Sequence, residues 1–240
     1  MNEMKRLLST VRQAAEHYSM IEEDDVIAVG LSGGKYSIAL LAALNELRRF
    51  YPAKFKICGI TIDMGFESET NPFDEIRGYC EEKNIPYHVE KTALKQIVFD
   101  ERKEKNPCSL CAKLRRGALV DCVKRLGANK LALGHHLDDA AETFMMTLLY
   151  EGRIGCYSPV TVYEDKGISV IRPLLYTREA DIKSIVKKEK LPVVKSMCPE
   201  DGNSKREEVK TEIRELEKTN KGLKKRIIGA LEKRKLDGWY

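Results

Sequence analysis

Val26-Ile27-Ala28-Val29-Gly30-Leu31 runs without a break into Ser32-Gly33-Gly34-Lys35-Tyr36-Ser37. A short apolar run closed by a turn signal reads as a buried strand, and the pattern over Ile38–Phe50 reads as a helix. Strand, tight turn and helix in that order bring unpaired backbone N–H groups and the positive helix end to one spot, which binds anions. Ser32 and Ser37 offer hydroxyl donors, Lys35 a positive charge, and Gly33 and Gly34 a close backbone approach. A turn used only for tight packing is the other reading of the loop alone. It is not a Walker A loop. Gly30 precedes Gly34-Lys35 by too few residues, and Tyr36 stands where Ser or Thr should hold magnesium.

Outward from this point, Phe55–Ile62, Pro86–Val89 and Lys130–Leu133 read as further strands, with helices over Asn71–Lys83, Leu110–Leu126 and Asp138–Tyr150 between them. The alternation predicts an α/β fold, a doubly wound, Rossmann-like parallel sheet with helices on both faces. Such sheets bind ligands at the carboxyl ends of their strands, so the loops after Leu31, Ile62 and Leu133 should share one edge. Glu3–Tyr18 reads as a helix with Leu7, Leu8, Val11, Ala14 and Ala15 on one side. After Tyr150 the pattern weakens, leaving a β-like run at Ser169–Ile171 and a helix at Thr177–Lys188. Beyond Gly202 come two amphipathic helices, with Val209, Ile213 and Leu216, then Leu223, Ile227 and Leu231, on their apolar sides. The expected parts are an N-terminal cap over 1–22, a nucleotide-binding domain over 23–200 and basic helices over 201–240.

The 240 residues, 42% apolar and 33% charged, suit one α/β domain with a small appendage. No stretch has the pattern of a signal peptide or a bilayer span, so a cytoplasmic location with no membrane partner is expected. The net charge is +5, and residues 203–240, with 12 Lys/Arg against 7 Asp/Glu, account for all of it. A basic segment suits contact with phosphates, while a mixed-charge run also fits a solvated helix face.

Seven cysteines in a chain of this kind point to metals, catalysis or packing, and spacing decides among them. Cys108-Ser109-Leu110-Cys111 is a CxxC at the expected start of a helix, where the backbone dipole favours thiolates. Alone it fits zinc, a redox dithiol or a cluster. Cys198, in the turn-rich run Ser196–Gly202, can add a third thiolate. Three thiolates suit a four-iron cluster with one iron open. Zinc closed by His135 or His136 is the rival. Cys58, Cys80 and Cys122 read as small core residues, and Cys156 has no assignment.

Gly134-His135-His136-Leu137-Asp138-Asp139 follows the strand Lys130–Leu133 and opens a helix, so it should face the phosphates. Its imidazoles and carboxylates can hold magnesium through water, position a triphosphate and move protons. Helix capping by Asp138 with packed histidines is the alternative. Arg115, one turn beyond Cys111, should face the cysteine side. Lys113 and Arg116 suit a phosphate or solvent, and Lys205 and Arg206 suit closure over substrate or plain surface.

Taken together, GLSGGKYS (30–37), CSLCAKLRRGAL (108–119), GHHLDDAAETF (134–144) and MCPEDGNSKRE (197–207) resemble the tRNA 2-thiocytidine synthetase family, within the PP-loop superfamily. The resemblance runs over roughly residues 20–230. It implies a [4Fe-4S] cluster on Cys108, Cys111 and Cys198, with ATP and Mg2+. The nucleotide would lie on Leu31, Ser32, Gly33, Gly34, Lys35, Ser37, Asp63, Gly134 and His135, although a turn-forming role also fits Asp63. Catalytic roles would fall to Lys35, Arg115, His135, Asp138 and Asp139. It further implies tRNA as substrate, thiolated at a cytidine of the anticodon loop, a cysteine desulfurase or free sulfide as sulfur donor, and a homodimer. Related chemistry on another tRNA base or a small molecule shares these motifs. Where the family's loop carries Asp, this chain has Tyr36, which is neutral near pH 7 and cannot replace a carboxylate as magnesium ligand or base. Either Asp63, Asp138 or Asp139 takes over that work, or the chain is an ATP- and RNA-binding module impaired in adenylation.

Overall fold

The strand expected at Val26–Leu31 is β1 (Asp25–Gly30), and it lies inside the sheet, paired parallel to β2 (Phe55–Asp63) and β4 (Lys130–Ala132). The computed structural model describes residues 3–67, 71–102, 107–195, 197–200 and 205–240. Asn106 before the CxxC, Ser196, Asp201 and Gly202 in the run around Cys198, and Asn203 and Ser204 after it lie outside them.

With β3 (Tyr87–Lys91), β5 (Val160–Tyr163) and β6 (Ile168–Ile171) the sheet has the order β3-β2-β1-β4-β6-β5. The sheet is parallel as expected from β3 to β6, and an added edge strand, β5, runs antiparallel to β6. β5 is a half-exposed edge strand, Val162 being 62% exposed, so its sequence lacks the apolar run that marks the inner strands.

The helices are α1 (Glu3–His17), α2 (Lys35–Leu47), α3 (Asp74–Glu82), α4 (Pro107–Arg125), α5 (Leu137–Tyr150), α6 (Glu179–Lys188), α7 (Lys205–Thr219) and α8 (Leu223–Arg234). A π-helical turn at Gln96–Arg102, which no sequence pattern announced, precedes α4. Side chains alternate along β1, as a strand requires: Ile27 and Val29 join the cluster built on α1, α2 and α6, while Ala28 joins Val120, Cys122 and Val123 of α4. Helices therefore cover both faces. Cys80 and Cys122 are buried and Cys58 packs beside Cys122's cluster, as their core reading requires.

Leu231 of α8 and Trp239 join Leu7 and Val11 of α1 in the larger core, so the two ends of the described chain close one hydrophobic cluster. Trp239 is fully buried and its indole N–H donates to the Tyr157 carbonyl at 2.9 Å. At the amino ends of the strands, buried Lys130 pairs with buried Asp25 at 2.8 Å, a structural ion pair at the edge opposite the loop. Among the described residues no helix is long and apolar enough to cross a membrane.

Candidate nucleotide and cluster site

The turn after β1 is built as an anion cradle. Ser37 Oγ accepts from the Ser32 N–H at 3.2 Å and donates to the Gly34 carbonyl at 2.9 Å, while Ser32 Oγ accepts from the Gly34 N–H at 3.3 Å. Gly34 is the N-cap of α2 and offers no side-chain cap, so the first-turn N–H groups stay available to a ligand. Gly33 has φ +83, and a Cβ there would lie 2.9 Å from Val194 Cβ. Glycine is therefore required by conformation and by space. Gly33→Ala is expected to weaken ATP binding by about tenfold or more and to cost about 1–2 kcal/mol of stability, measured by calorimetry and chemical unfolding; wild-type affinity would contradict the cradle. Gly134 fits as closely, since a Cβ would meet Ser37 N at 3.1 Å.

Tyr36 turns away from the cradle. Its hydroxyl donates to Glu179 of α6 and its ring meets the His136 ring edge-on at 4.3 Å. Burial, then Glu179, pushes the phenol far above its ordinary range, with Asp139 and Glu142 adding to the effect. Burial works against ionised Glu179, but Lys183, Tyr36 and Lys210 overrule it and hold that carboxyl well below the usual range.

The GHHLDD segment opens α5 beside this network. His136 and Asp139 form a reciprocal cap, the Asp139 N–H reaching His136 Nδ1 at 3.3 Å and the His136 N–H reaching Asp139 Oδ2 at 3.1 Å. Asp138 does not cap its own helix but meets the open N-terminus of α6. One oxygen accepts from the Glu179 N–H at 2.7 Å and the other from Lys224 of α8, so this buried carboxylate clasps three helices together. Asp139 faces Arg206 at 3.6 Å, which places Arg206 on the site, whereas Lys205 pairs with Glu208 at the surface. His135 stacks at 4.9 Å on Tyr157 and is held neutral, its pKa pushed down to about 3 by burial and then Arg172.

Glu142 was missed in the sequence. It lies one helical turn beyond Asp138 and Asp139, and that spacing is the signal that finds it. Only 2% exposed, it has its pKa pushed up to about 7 by burial, then Asp139. The folded state then holds a proton that the unfolded state releases near the ordinary carboxyl value, so stability falls as pH rises from about 4.5 through about 7. Discounted for screening, the loss is about 2 kcal/mol. Glu142→Gln is expected to flatten this dependence, measured as unfolding midpoints at pH 5 and pH 8; an unchanged slope would assign it elsewhere.

A cavity of about 150 Å³ joins the loop to the cysteines, lined by Leu31, Ser32, Asp63, Arg115, Leu133 and Cys198 among others. Asp63 also accepts from the Gly65 N–H at 2.9 Å, as the turn-forming reading requires, and it does so at the rim of this cavity. The Val194 N–H donates to the Gly33 carbonyl at 2.9 Å and ties the segment leading to Cys198 onto the loop. The CxxC lies at the start of α4, as expected, and the nearby groups work against its thiolates. The Cys108 and Cys111 thiols are both shifted up, first by burial, with Cys198 adding to each. Arg115 works the other way on Cys111, as expected of the residue one turn on.

Among the described residues, the group of potential ligands drawn within 4.8 Å of one another is His88, Glu90 and Cys122, not the three thiols. Thiolates on one tetrahedral zinc stand only ~3.8 Å apart, given Zn–S near 2.3 Å. Neither His135 nor His136 joins Cys108, Cys111 and Cys198 in such a group, so the zinc arrangement considered from sequence is not assembled.

An uncapped strand–turn–helix cradle at the carboxyl edge of a parallel sheet defines a phosphate-binding α/β protein of the nucleotide-binding kind. Residues 5–217 match the family model described as a PP-loop domain. A tRNA-cytidine(32) 2-sulfurtransferase of Geobacter sulfurreducens is 36% identical over 230 residues, covering 95% of this chain and 89% of its own length. The enzyme of that name from a Shewanella species is 36% identical over 233 residues, covering 95% of this chain and 74% of its own length. The U34-tRNA thiolase NcsA from Methanococcus maripaludis, solved with its [4Fe-4S] cluster, superposes with a TM-score of 0.81 at 29% identity, over 96% of this chain and 79% of that one. The chain belongs to the PP-loop family and, within it, to the tRNA 2-thiocytidine synthetases.

Proposed function

We propose that this chain thiolates tRNA, converting a cytidine of the anticodon loop into 2-thiocytidine, with ATP as activator and a [4Fe-4S] cluster on Cys108, Cys111 and Cys198. The observation that carries this reading is the cavity lined by Ser32 of the phosphate loop, Arg115 and Cys198 together. The three thiols fit a cluster by their chemistry: each of Cys108 and Cys111 is disfavoured as a thiolate by Cys198, a repulsion that bound iron relieves. They are also spread more widely than one zinc ion requires. When bound, a cluster held by three thiolates supplies one iron open to a sulfur ligand.

The chain's own residues supply the rest. Ser32, Gly33, Gly34 and Ser37 hold the pyrophosphate end of ATP, with Lys35 adding positive charge, while Leu31 and Asp63 border the adenosine. The cytidine O2 attacks the α-phosphorus, the bond to the bridging oxygen breaks, and pyrophosphate leaves. Sulfur then attacks C2, the C2–O bond breaks, and AMP leaves. Arg115 stabilises the charge developing between loop and cysteines. Gly134 backs the loop, and burial disfavours the charged form of His135. Magnesium would come with the phosphates, and Asp139 is the better placed of the two adjacent aspartates to meet it, since both oxygens of the more deeply buried Asp138 are held by α6 and α8, whereas among the described residues Asp139 Oδ1 meets only Arg206, at 3.6 Å. Sulfur would come from a cysteine desulfurase or free sulfide. The exposed side chains of Leu148, Leu149, Tyr150 and Ile154 suit a homodimer contact.

One observation favours a second reading, an ATP- and RNA-binding protein that turns over poorly: Tyr36 occupies the place of the loop carboxylate and is bonded to Glu179. Iron and acid-labile sulfide analysis of anaerobically purified protein tests the cluster. About four of each per chain is expected, and zinc without sulfide would overturn the assignment.

A further inference from the structure

Behind the GHH segment lies a set of polar groups that the proposed chemistry does not use. Arg172 follows β6 at the carboxyl edge of the sheet and is 5% exposed. One terminal nitrogen donates to the Ser158 carbonyl and to Thr161 Oγ1, and the guanidinium lies over the Tyr157 ring at 5.0 Å. Its Nε–H has no partner, and among the described residues no carboxylate comes within ion-pair distance of it. Two neighbouring polar atoms are buried and unpartnered in the same way, the Tyr157 hydroxyl and His135 Nδ1. The other charges bearing on His135 are Arg206, His136 and Arg116.

A guanidinium stays charged in a protein, and a buried charge without a counter-charge is costly. Here the charges acting on His135 have the same sign, Asp139 acts on the Tyr157 hydroxyl but is itself paired with Arg206, and the unpartnered groups include two donors, Arg172 Nε–H and the Tyr157 hydroxyl. An anion accepting from both, with His135 Nδ1–H as a third donor in the right tautomer, satisfies all of them. Arg116, exposed on α4 and acting on both Arg172 and His135, extends the positive field to the surface.

We propose that Arg172, Tyr157 and His135 form a second anion site that takes a phosphate group, and that a phosphodiester of the bound RNA strand supplies it. The second clause rests on tRNA being the substrate. The nucleotide's own phosphates already have the cradle after β1, and β6 lies two strands away from it, on the order of 10 Å. A strand phosphate fixed here would hold the RNA in register while its base enters the cavity by Ser32 and Cys198.

The test combines unmodified tRNA binding over a salt series, ATP titration, and thermal melts with inorganic phosphate, on the cluster-loaded chain and on Arg172→Met and Tyr157→Phe. Tyr157→Phe removes one hydroxyl and should fold normally. Weakening of tRNA binding by about threefold or more in Tyr157→Phe and tenfold or more in Arg172→Met is expected, with a salt slope lower by about one in Arg172→Met and ATP affinity unchanged. Phosphate should raise the melting temperature of the wild type but not of Arg172→Met. Loss of ATP affinity with tRNA binding intact would keep the phosphate site and overturn its RNA source. Unchanged binding of both, with no rise in the wild-type melting temperature on adding phosphate, would make Arg172 a structural cation and overturn the proposal. Absence of tRNA binding by the wild type would refute the thiolation reading, while the phosphate melts still decide the anion site.

Discussion

Cys198→Ala is expected to strip the chain of iron and acid-labile sulfide and to lower tRNA thiolation by about a thousandfold or more, some 4 kcal/mol of lost transition-state stabilisation. Cys108 and Cys111 sit on one helix, while Cys198 arrives on a segment tied to the phosphate loop through the Val194–Gly33 hydrogen bond. With two thiolates left, the cluster loses a corner. The side chain belongs to neither hydrophobic cluster, so the fold should stand, and ATP affinity should change less than about twofold because the cradle is made by Ser32, Gly34 and Ser37. Visible absorption, iron analysis and ATP calorimetry read the three consequences separately. Cluster content that survives the change would remove Cys198 from the ligand set.

Tyr36→Asp has the second large effect, and its sign depends on magnesium. The wild-type hydroxyl donates to Glu179 and feels Asp139 and Glu142, so the substitution would place a fourth carboxylate in a region that already holds three. Without a cation that should cost about 1–2 kcal/mol, from like-charge repulsion and the lost donor to Glu179. With Mg2+ and ATP the added carboxylate can share the ion, and both effects should reverse: melting temperature recovers and thiolation rises by about tenfold or more. The comparison is turnover and thermal melting of both forms with and without Mg2+. Equal turnover would show that another acid does this work, and Asp139 is then the residue to replace next.

The parts legible in the sequence were those fixed by local chemistry. An apolar run meeting two glycines located β1, the cradle and α2, because a Cβ at Gly33 is barred by φ and by Val194. The motif order also carried the family, with Leu31, Ser32, Asp63, Arg115 and Cys198 meeting around one cavity. What stayed hidden depends on partners distant in sequence. Asp138 looked equally fit for magnesium or a cap, and only the approach of Lys224 and of the Glu179 N–H makes it a clasp. The upward shift of the Cys108 and Cys111 thiols owes part of its size to Cys198, which lies far along the chain and has no local pattern. Trp239 sits in a polar stretch yet is fully buried, and β5 shows little apolar run because one side of it is open.

The central claim is that ATP activation and cluster-borne sulfur meet on one tRNA base. It is tested most directly by incubating cluster-loaded protein anaerobically with ATP, Mg2+, sulfide and unmodified tRNA, then digesting the tRNA and weighing its nucleosides. The expected result is 2-thiocytidine, formed only with ATP and matched by equal amounts of AMP and pyrophosphate. Intact cluster and bound ATP with no thiolated nucleoside, in the wild type and in Tyr36→Asp alike, would contradict it.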